Sequence, residues 1–277
     1  DCEFFGFILD IATLYAFEDL TGVTIYLNEL RKCAKTILLD GLGANALSTK
    51  VQSPIDIIVA PYFGANELMP KSKKETAYLM GPEYYVFPSE YRNDGYLGRE
   101  IRKTADRILV TLGGADSLGV TIKVIEALVS VTDFKFNIRV VLGPNFSPEL
   151  KEKIRNIAVS THHHFTIVDC PKSLFDHMLW CDVAITSSGL TKYELAVTGT
   201  PSLQIAFNQD HAQVSDFFVR HGTIRHLGVH SDVDVDSLAS DLNGLLRDYE
   251  SRKRMSHLGQ ALLDTQGVNR IVEAIRG

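Results

Sequence analysis

From Ile108 onward the hydrophobic positions fall into a repeated order: a short run that is apolar throughout, a turn bearing small or polar residues, then apolar residues at helical spacing. ILVTLG (Ile108 to Gly113) is the first such run, and Val120 to Ser130 follows with helical periodicity. IRVVLG (Ile138 to Gly143) predicts a second strand. Pro148 to Val159 predicts a helix whose solvated face carries Glu149, Lys151, Glu152 and Lys153. FTIVDC then reads as a third strand, Leu174 to Cys181 as a short helix, DVAITSS as a fourth strand, Lys192 to Thr198 as a helix and TPSLQIAF as a fifth strand. Strands that are apolar on both faces and joined by helices build a parallel sheet covered on both sides, so the fold class is α/β.

The first hundred residues repeat the style more weakly. GFILDI, TILLD and IDIIVA predict three short strands, with Glu18 to Ala34 supplying helices or turns between them. Two of these strands end in an aspartate, which places Asp10 and Asp40 at the carboxyl edge of a second parallel sheet, facing a cleft between domains. The expected organisation is two Rossmann-like domains: residues 1–98, an incomplete N-terminal domain, and residues 106–277, a C-terminal one. A doubly wound domain needs roughly 120 residues, so one or more βα units are expected before Asp1. The polar, proline-bearing stretch from Tyr84 to Ala105 is the expected linker.

Composition narrows the function classes. At 277 residues, 45% hydrophobic and 22% charged, the chain has core enough for two globular domains. A net charge of −6 without a Lys/Arg block gives no electrostatic support for a nucleic-acid partner or an anionic membrane. No apolar run reaches the roughly 18 residues of a membrane span, and DCEFFGFILD lacks the basic start of a signal peptide, so a cytoplasmic location without integral membrane association is expected. The cysteines Cys2, Cys33, Cys170 and Cys181 form no C-x-x-C pair and read as reduced thiols.

Two turns carry candidate chemistry. In TLGGAD, Gly113 and Gly114 follow a strand and precede a helix, where glycines let backbone N–H groups approach an anion and the helix start adds a favourable dipole. The same pair also fits a tight βα turn that binds nothing, and it is not a G-x-G-x-x-G fingerprint, which disfavours NAD. In TSSGLTKYE, Ser187, Ser188, Gly189, Leu190 and Thr191 offer hydroxyl and backbone donors to a diphosphate, while Glu194 is placed to accept from a ribose diol. Ser and Thr are equally the preferred helix caps. Both turns lie at the carboxyl ends of strands of one sheet and converge on one crevice. After the fifth strand, QIAFNQDH sets Asp210 and His211 where a sugar would meet them, or forms an ordinary polar loop. The run His162 to His164 cannot share one coordination geometry, so no metal is expected, and no G-x-S-x-G elbow marks a nucleophilic serine. Phe175 and Trp180, at helical spacing, read as core.

The order ILVTLGGAD, AITSSGLTKYELAVTGTPSLQIA and DTQGVNRIVEAI resembles the nucleotide-binding half of the GT-B glycosyltransferase superfamily. Within it the chain is similar to the UDP-sugar hydrolase of pseudaminic acid biosynthesis and the spore-coat polysaccharide proteins, and more distantly to the peptidoglycan N-acetylglucosaminyltransferase. GFILDIA, KTILLDG, IDIIVAPYFGA and MGPEYYVFPSEY match the first half in outline. The resemblance implies that Gly113 and Gly114 face the diphosphate, that Ser187 to Thr191 hold it further, that Glu194 takes the ribose, and that the backbone near Leu174 takes uracil. Departures accompany the matches: the family's N-terminal glycine-rich loop and its histidine have no counterpart, Ala12 replaces a tyrosine, Pro88 an arginine, and Asp210 and His211 a different polar pair.

The expected activity is release of UDP from an acetamido-deoxyhexose with water as acceptor, without a cofactor, and with no D-x-D motif for a metal. Loop amides and helix termini would carry the leaving-group charge, and Asp10 and Asp40 are the candidates for activating the acceptor or, equally, for capping strand ends. Two alternatives remain open: a glycosyltransferase, for which Tyr62, Phe63, Tyr84 and Tyr85 would form an acceptor patch, and a nucleotide-sugar-binding module without catalysis.

Overall fold

The computed structural model describes residues 6–10, 28–39, 55–68, 76–92 and 96–276. It divides into two compact units, one comprising Asp1–Arg92 with Asp264–Gly277 and the other Asn93–Leu263.

The first unit holds a four-stranded parallel sheet of β1 (Gly6–Asp10), β2 (Lys35–Leu39), β3 (Ile57–Ala60) and β4 (Ala77–Met80), in the order β1-β2-β3-β4. The three expected strands are present, and β4 is an addition whose four residues are too short to carry a periodic signal. Asp56, just before β3, fixes the register at the amino edge: its carboxylate accepts from the Thr36 N–H (2.8 Å), the Thr36 hydroxyl (3.0 Å) and Arg31 (3.0 Å). These bonds to the ionised form hold its pKa below the usual carboxylate value, against a desolvation that is the largest single contribution and acts upward.

The chain's last helix belongs to this unit rather than to the sheet that precedes it in sequence. Ile271 is buried against Ile37, Ile57 and Val59, and Gly267 sits where a side chain would collide with the Tyr85 carbonyl. Arg270 locks the approach by donating to both Asp264 carboxylate oxygens (2.7 and 2.6 Å) and to the Glu83 carbonyl (2.7 Å). The boundary expected from sequence, with residues up to 277 in the second domain, therefore differs from the observed grouping over Asp264–Gly277.

The second unit alternates strand and helix as the apolar pattern predicts. β5 (Arg107–Thr111), α1 (Val120–Ser130), β6 (Asn137–Leu142), α2 (Pro148–Val159), β7 (His164–Asp169), α3 (Phe175–Trp180), β8 (Val183–Ser187), α4 (Thr191–Val197) and β9 (Ser202–Ala206) follow one another. α5 (Gln209–Gln213), α6 (Asp216–Arg220), β10 (Arg225–Val229), α7 (Val235–Arg247) and α8 (Tyr249–Leu262) complete the unit, and α9 (Gly267–Arg276) is the helix described above. The six strands are parallel, in the order β10-β9-β8-β5-β6-β7. From β5 the chain winds outward through β6 and β7, then returns to the other side of β5 with β8. The reversal makes a switch point between the carboxyl ends of β5 and β8, where α/β sheets leave a crevice for ligands.

Local chemistry sets the helix ends. Ser147 caps α2 by accepting from the Leu150 N–H (3.2 Å) with Pro148 in the first turn, and Asp234 caps α7 by accepting from the Ser237 N–H (2.7 Å). α7 then presents Leu238, Leu242 and Leu245 on one stripe, all fully buried with Val124, Leu128, Ile138 and Val140. Each such leucine contributes about 1.5–3 kcal/mol of burial free energy. Among the described residues no helix is long and apolar enough to cross a membrane.

Candidate functional site

The two loops at the switch point meet. After β5, Gly113 takes φ +85°, a left-handed conformation open to glycine at little cost, and a Cβ built on it would lie 3.6 Å from the Ser187 hydroxyl. The same hydroxyl lies 3.8 Å from where a Cβ would stand at Gly189. Ser187 Oγ is thus the point at which the two glycine-bearing turns come together.

Backbone bookkeeping distinguishes these loops. Among the described residues, the N–H groups of Gly113, Gly114, Ala115, Gly189 and Leu190 donate to no protein acceptor. In a folded chain backbone donors pair with protein or with solvent, and here five exposed ones cluster where two strands end. The Gly114 carbonyl, by contrast, is fixed by the Asn145 N–H (2.8 Å). Gly143, buried at the end of β6, leaves no room for a side chain: its Cβ would fall 2.5 Å from the carbonyl oxygens of both Gly113 and Gly114. The strand-terminal glycine of IRVVLG is therefore the backstop of the glycine-pair turn. Its position after an apolar run was the available sequence signal, but the partner it packs against was not visible.

One expectation needs correction. The start of α1 does not offer its amides to a ligand, because Asp116 already occupies it. Asp116 is 3% exposed, holds a left-handed φ of 40°, and accepts from the Val120 N–H (2.9 Å) and Thr121 N–H (2.7 Å). In TLGGAD the amides left free are the turn's own, at Gly113, Gly114 and Ala115.

The β8–α4 turn is built differently. Gln204 Nε2 donates to the Ser187 carbonyl (3.1 Å), fixing the end of β8. Ser188 is 3% exposed and its Oγ has no hydrogen-bond partner. Beneath it, Lys192 Nζ donates to the Ser188 carbonyl (3.1 Å). Lys192 went unremarked in the sequence because a lysine early in a short helix is ordinarily solvated; only the packing buries it. Thr191 and Glu194 lie half-buried in the first turn of α4, on the same edge.

Other expected residues are at the same carboxyl edge. Leu174, half-buried, precedes α3, and its carbonyl accepts the Met178 N–H (2.9 Å). Asp210 and His211 are exposed beyond β9, in a helical turn rather than a loop, because Asn208 Oδ1 caps it through the His211 N–H (2.9 Å). Asp10 closes β1 of the other unit, paired in register with Leu39, and Asp40 lies outside the described residues. Tyr62, Phe63, Tyr84 and Tyr85 are all half-buried. Trp180 is half-buried with the Arg139 guanidinium 3.9 Å above its ring, and Phe175 meets Tyr96 edge-on.

The histidine run is structural at its centre. His163 Nε2 faces the Leu128 carbonyl at 2.7 Å and Nδ1 accepts the Phe136 N–H at 3.3 Å, which uses both ring nitrogens of the neutral form. Burial pushes its pKa below the ordinary histidine value. Cys181 is likewise a core group: burial pushes its thiol up to about 12.

No family model matches the chain. It is 30% identical over 202 residues to protein MJ1062 of Methanocaldococcus jannaschii, covering 70% of this chain and 40% of that one. It is 25% identical to the spore coat polysaccharide biosynthesis protein SpsG of Bacillus subtilis, over 71% of this chain and 57% of SpsG. It is 26% identical to the pseudaminic acid cytidylyltransferase and UDP-2,4-diacetamido-2,4,6-trideoxy-beta-L-altropyranose hydrolase of Helicobacter pylori, over 62% of this chain and 29% of that protein. The chain thus spans between about a third and just over half the length of these curated relatives. Among solved structures, Acinetobacter baumannii MurG matches with a TM-score of 0.66 at 14% identity, over 90% of this chain and 69% of that one. The S. aureus MnaA–UDP co-structure matches with 0.66 at 15%, over 98% and 75%. The fold is α/β and GT-B-like, two Rossmann-like units with parallel sheets, and in sequence the chain resembles the nucleotide-sugar enzymes of the spore-coat polysaccharide and pseudaminic acid group.

Proposed function

We propose that the chain binds a UDP-sugar through its second unit and belongs to an enzyme that releases UDP from an acetamido-deoxyhexose with water, in surface-polysaccharide or nonulosonic acid biosynthesis. The observation that carries the reading is the set of unpaired donors at the β5/β8 switch point: the free amides of Gly113, Gly114, Ala115, Gly189 and Leu190, together with the buried, unpartnered Ser188 hydroxyl. Donors of this kind, fixed before the ligand arrives, stabilise charge that grows on a diphosphate leaving group without reorganisation. In this reading Ser187 and Thr191 add hydroxyl contacts, Glu194 accepts from the ribose, the backbone at Leu174 meets uracil, and Asp210 and His211 meet the sugar. Asp10 and Asp40 are the proposed acceptor-side carboxylates, one of which would need a pKa raised by burial to serve as general base. Support from relatives comes from the hydrolase named in the Helicobacter pylori protein and the polysaccharide role named for SpsG.

A transferase reading has its own support, since fold neighbours include glycosyltransferases such as the spinosyn rhamnosyltransferase SpnG. Calorimetric titration with UDP, UDP-N-acetylglucosamine and a UDP-diacetamido-trideoxyhexose, with UDP release followed in parallel, separates them. Hydrolysis predicts binding with release in water alone. Binding without release moves the reading to a transferase awaiting its acceptor or to a binding module, and absence of UDP binding by the folded chain removes all three.

A further inference from the structure

Lys192, at the carboxyl edge, has no task in the reading above. Its side chain is 3% exposed, and of the three N–H donors on its ammonium one is used, on the Ser188 carbonyl at 3.1 Å. The ring centroids of Tyr193 and Phe218 lie 5.9 and 5.8 Å from Nζ. Among the described residues no carboxylate pairs with it in a salt bridge. A lysine is rarely buried unpaired, since desolvating the charge costs several kcal/mol. The Ser188 carbonyl and the Gly189 N–H belong to one peptide unit, so a cation bonded to the oxygen polarises that unit and strengthens the N–H as a donor. That N–H is free, and the Ser188 hydroxyl beside it is buried and unpartnered.

We propose that Lys192 is a positioning residue of the anion subsite, its ammonium fixed under the Ser188–Gly189 peptide so that it offsets the charge of a nucleoside diphosphate held by the loop. The inference rests on the UDP reading of the site. Burial alone lowers the Lys192 pKa to about 8. A bound diphosphate anion raises it again, and binding then draws in a proton. The neighbouring charged groups do not compete for this role. Asp216 and Arg220 on α6 are exposed, as are Lys253, Arg254 and His257 on α8. Arg252 is spent on the Arg102 and Lys103 carbonyls. Glu194 stands two residues along α4 and so off the face that carries Lys192.

The test titrates the whole 277-residue chain with UDP and with uridine at pH 7 and pH 8, in buffers of different ionisation heat. Above pH 7 the UDP phosphates are already largely ionised, so uptake reports the protein. The expected result is uptake of about half a proton with UDP at pH 8 and none with uridine. Lys192→Met is expected to bind UDP about 10- to 100-fold more weakly at pH 7, to lose the uptake and to keep its affinity for uridine. Wild-type binding without uptake overturns the proposal, and this arm decides even if the variant does not fold. A variant that keeps UDP affinity, or loses UDP and uridine by the same factor, overturns it too. If UDP gives no binding to the wild type, the underlying reading of the site fails first, and the two failures are told apart by that heat alone.

Discussion

The two ends of the six-stranded sheet treat polar groups in opposite ways. At the amino end Asp182 is 4% exposed and its carboxylate accepts from the Asp106 N–H (2.9 Å), the Arg107 N–H (2.9 Å) and Arg102 (3.1 Å). Arg99 donates there to the Met178 carbonyl (2.9 Å), the Thr200 hydroxyl (2.8 Å) and the Cys181 carbonyl. Fully buried Arg252 donates to the Arg102 and Lys103 carbonyls (2.8 and 2.9 Å). At the carboxyl end the donors of the β5 and β8 turns point to no protein acceptor, and a lysine is buried on a single carbonyl. These amino-end groups hold the sheet together, Arg252 Nε alone of their named donors being buried without a partner. The carboxyl end leaves five turn amides to solvent and buries the Ser188 hydroxyl unpartnered and Lys192 on one acceptor, and for these two the cost in stability is one that a ligand can repay.

The sharpest way to break this contrast is at Asp182. Asp182→Ala leaves the half-buried Asp106 and Arg107 amides without their acceptor and takes one of Arg102's two carboxylate partners, Asp106 remaining, and is expected to lower stability by about 2–3 kcal/mol in urea denaturation. UDP affinity of the folded fraction should stay within twofold, because nothing at the carboxyl edge contacts the site of the change. A large loss of affinity at preserved stability would reverse the assignment of the two ends.

Next in size is Gly143→Ala, which intrudes on the Gly113 and Gly114 carbonyls rather than on any ligand. Overpacking of this kind costs about 1–3 kcal/mol, and the displaced turn should weaken UDP binding by roughly tenfold or more. Denaturation and titration of the same sample measure both effects. Equal affinity in this variant would mean that the glycine-pair turn does not hold the diphosphate.

Much of this architecture was legible in the residues, and the exceptions have physical reasons. β5, β8 and β9 of the second unit are buried along nearly their whole length, and the capped helices Val120–Ser130 and Pro148–Val159 end where their periodicity ends. β10 escaped because RHLGV is a half-buried edge strand interrupted by a bulge at Gly228 with φ 114°. α9 is visibly amphipathic, but periodicity says which face is buried and not which sheet covers it. At the site, turn chemistry betrayed Gly113, Gly114 and Ser187 to Thr191. The roles of Gly143, Asp116 and Lys192 depend on what packs against them, which no local pattern encodes.

A smaller pair of changes tests whether the carboxyl end trades stability for binding. Ser188→Ala removes a buried hydroxyl that bonds nothing, so stability should hold or rise by up to about 1 kcal/mol while UDP affinity falls several-fold. Lys192 makes the same point with pH. Its folded pKa of about 8 lies below the ordinary lysine value of 10.5. Between those values the unfolded chain holds a proton that the folded one lacks, so stability rises with pH across that window. Below it the charge is buried in full, at a cost of roughly 3 kcal/mol. Lys192→Met is therefore expected to be more stable than the wild type at pH 7, with the gap closing by pH 10. A variant less stable at pH 7 would show the lysine to be a structural tie like Arg252.

The smallest effect belongs to the amino end. His163 precedes β7 and joins Phe136, which precedes β6, to the Leu128 carbonyl. Desolvation is the main cause of its lowered pKa, with the Leu128 bond acting in the opposite direction. The native ring takes up a proton less readily than the unfolded ring, whose ordinary value is 6.5, so the unfolded state gains protons first and stability falls as pH drops below 6.5. His163→Gln keeps a donor for Leu128 and an acceptor for Phe136 without the titration. Its unfolding midpoint should be slightly lower at pH 7.5 and fall less than the wild type's between pH 7.5 and 5.5. UDP binding should respond to neither the substitution nor this protonation, because a group that has already spent both nitrogens on the sheet has none left to offer a ligand at the opposite end.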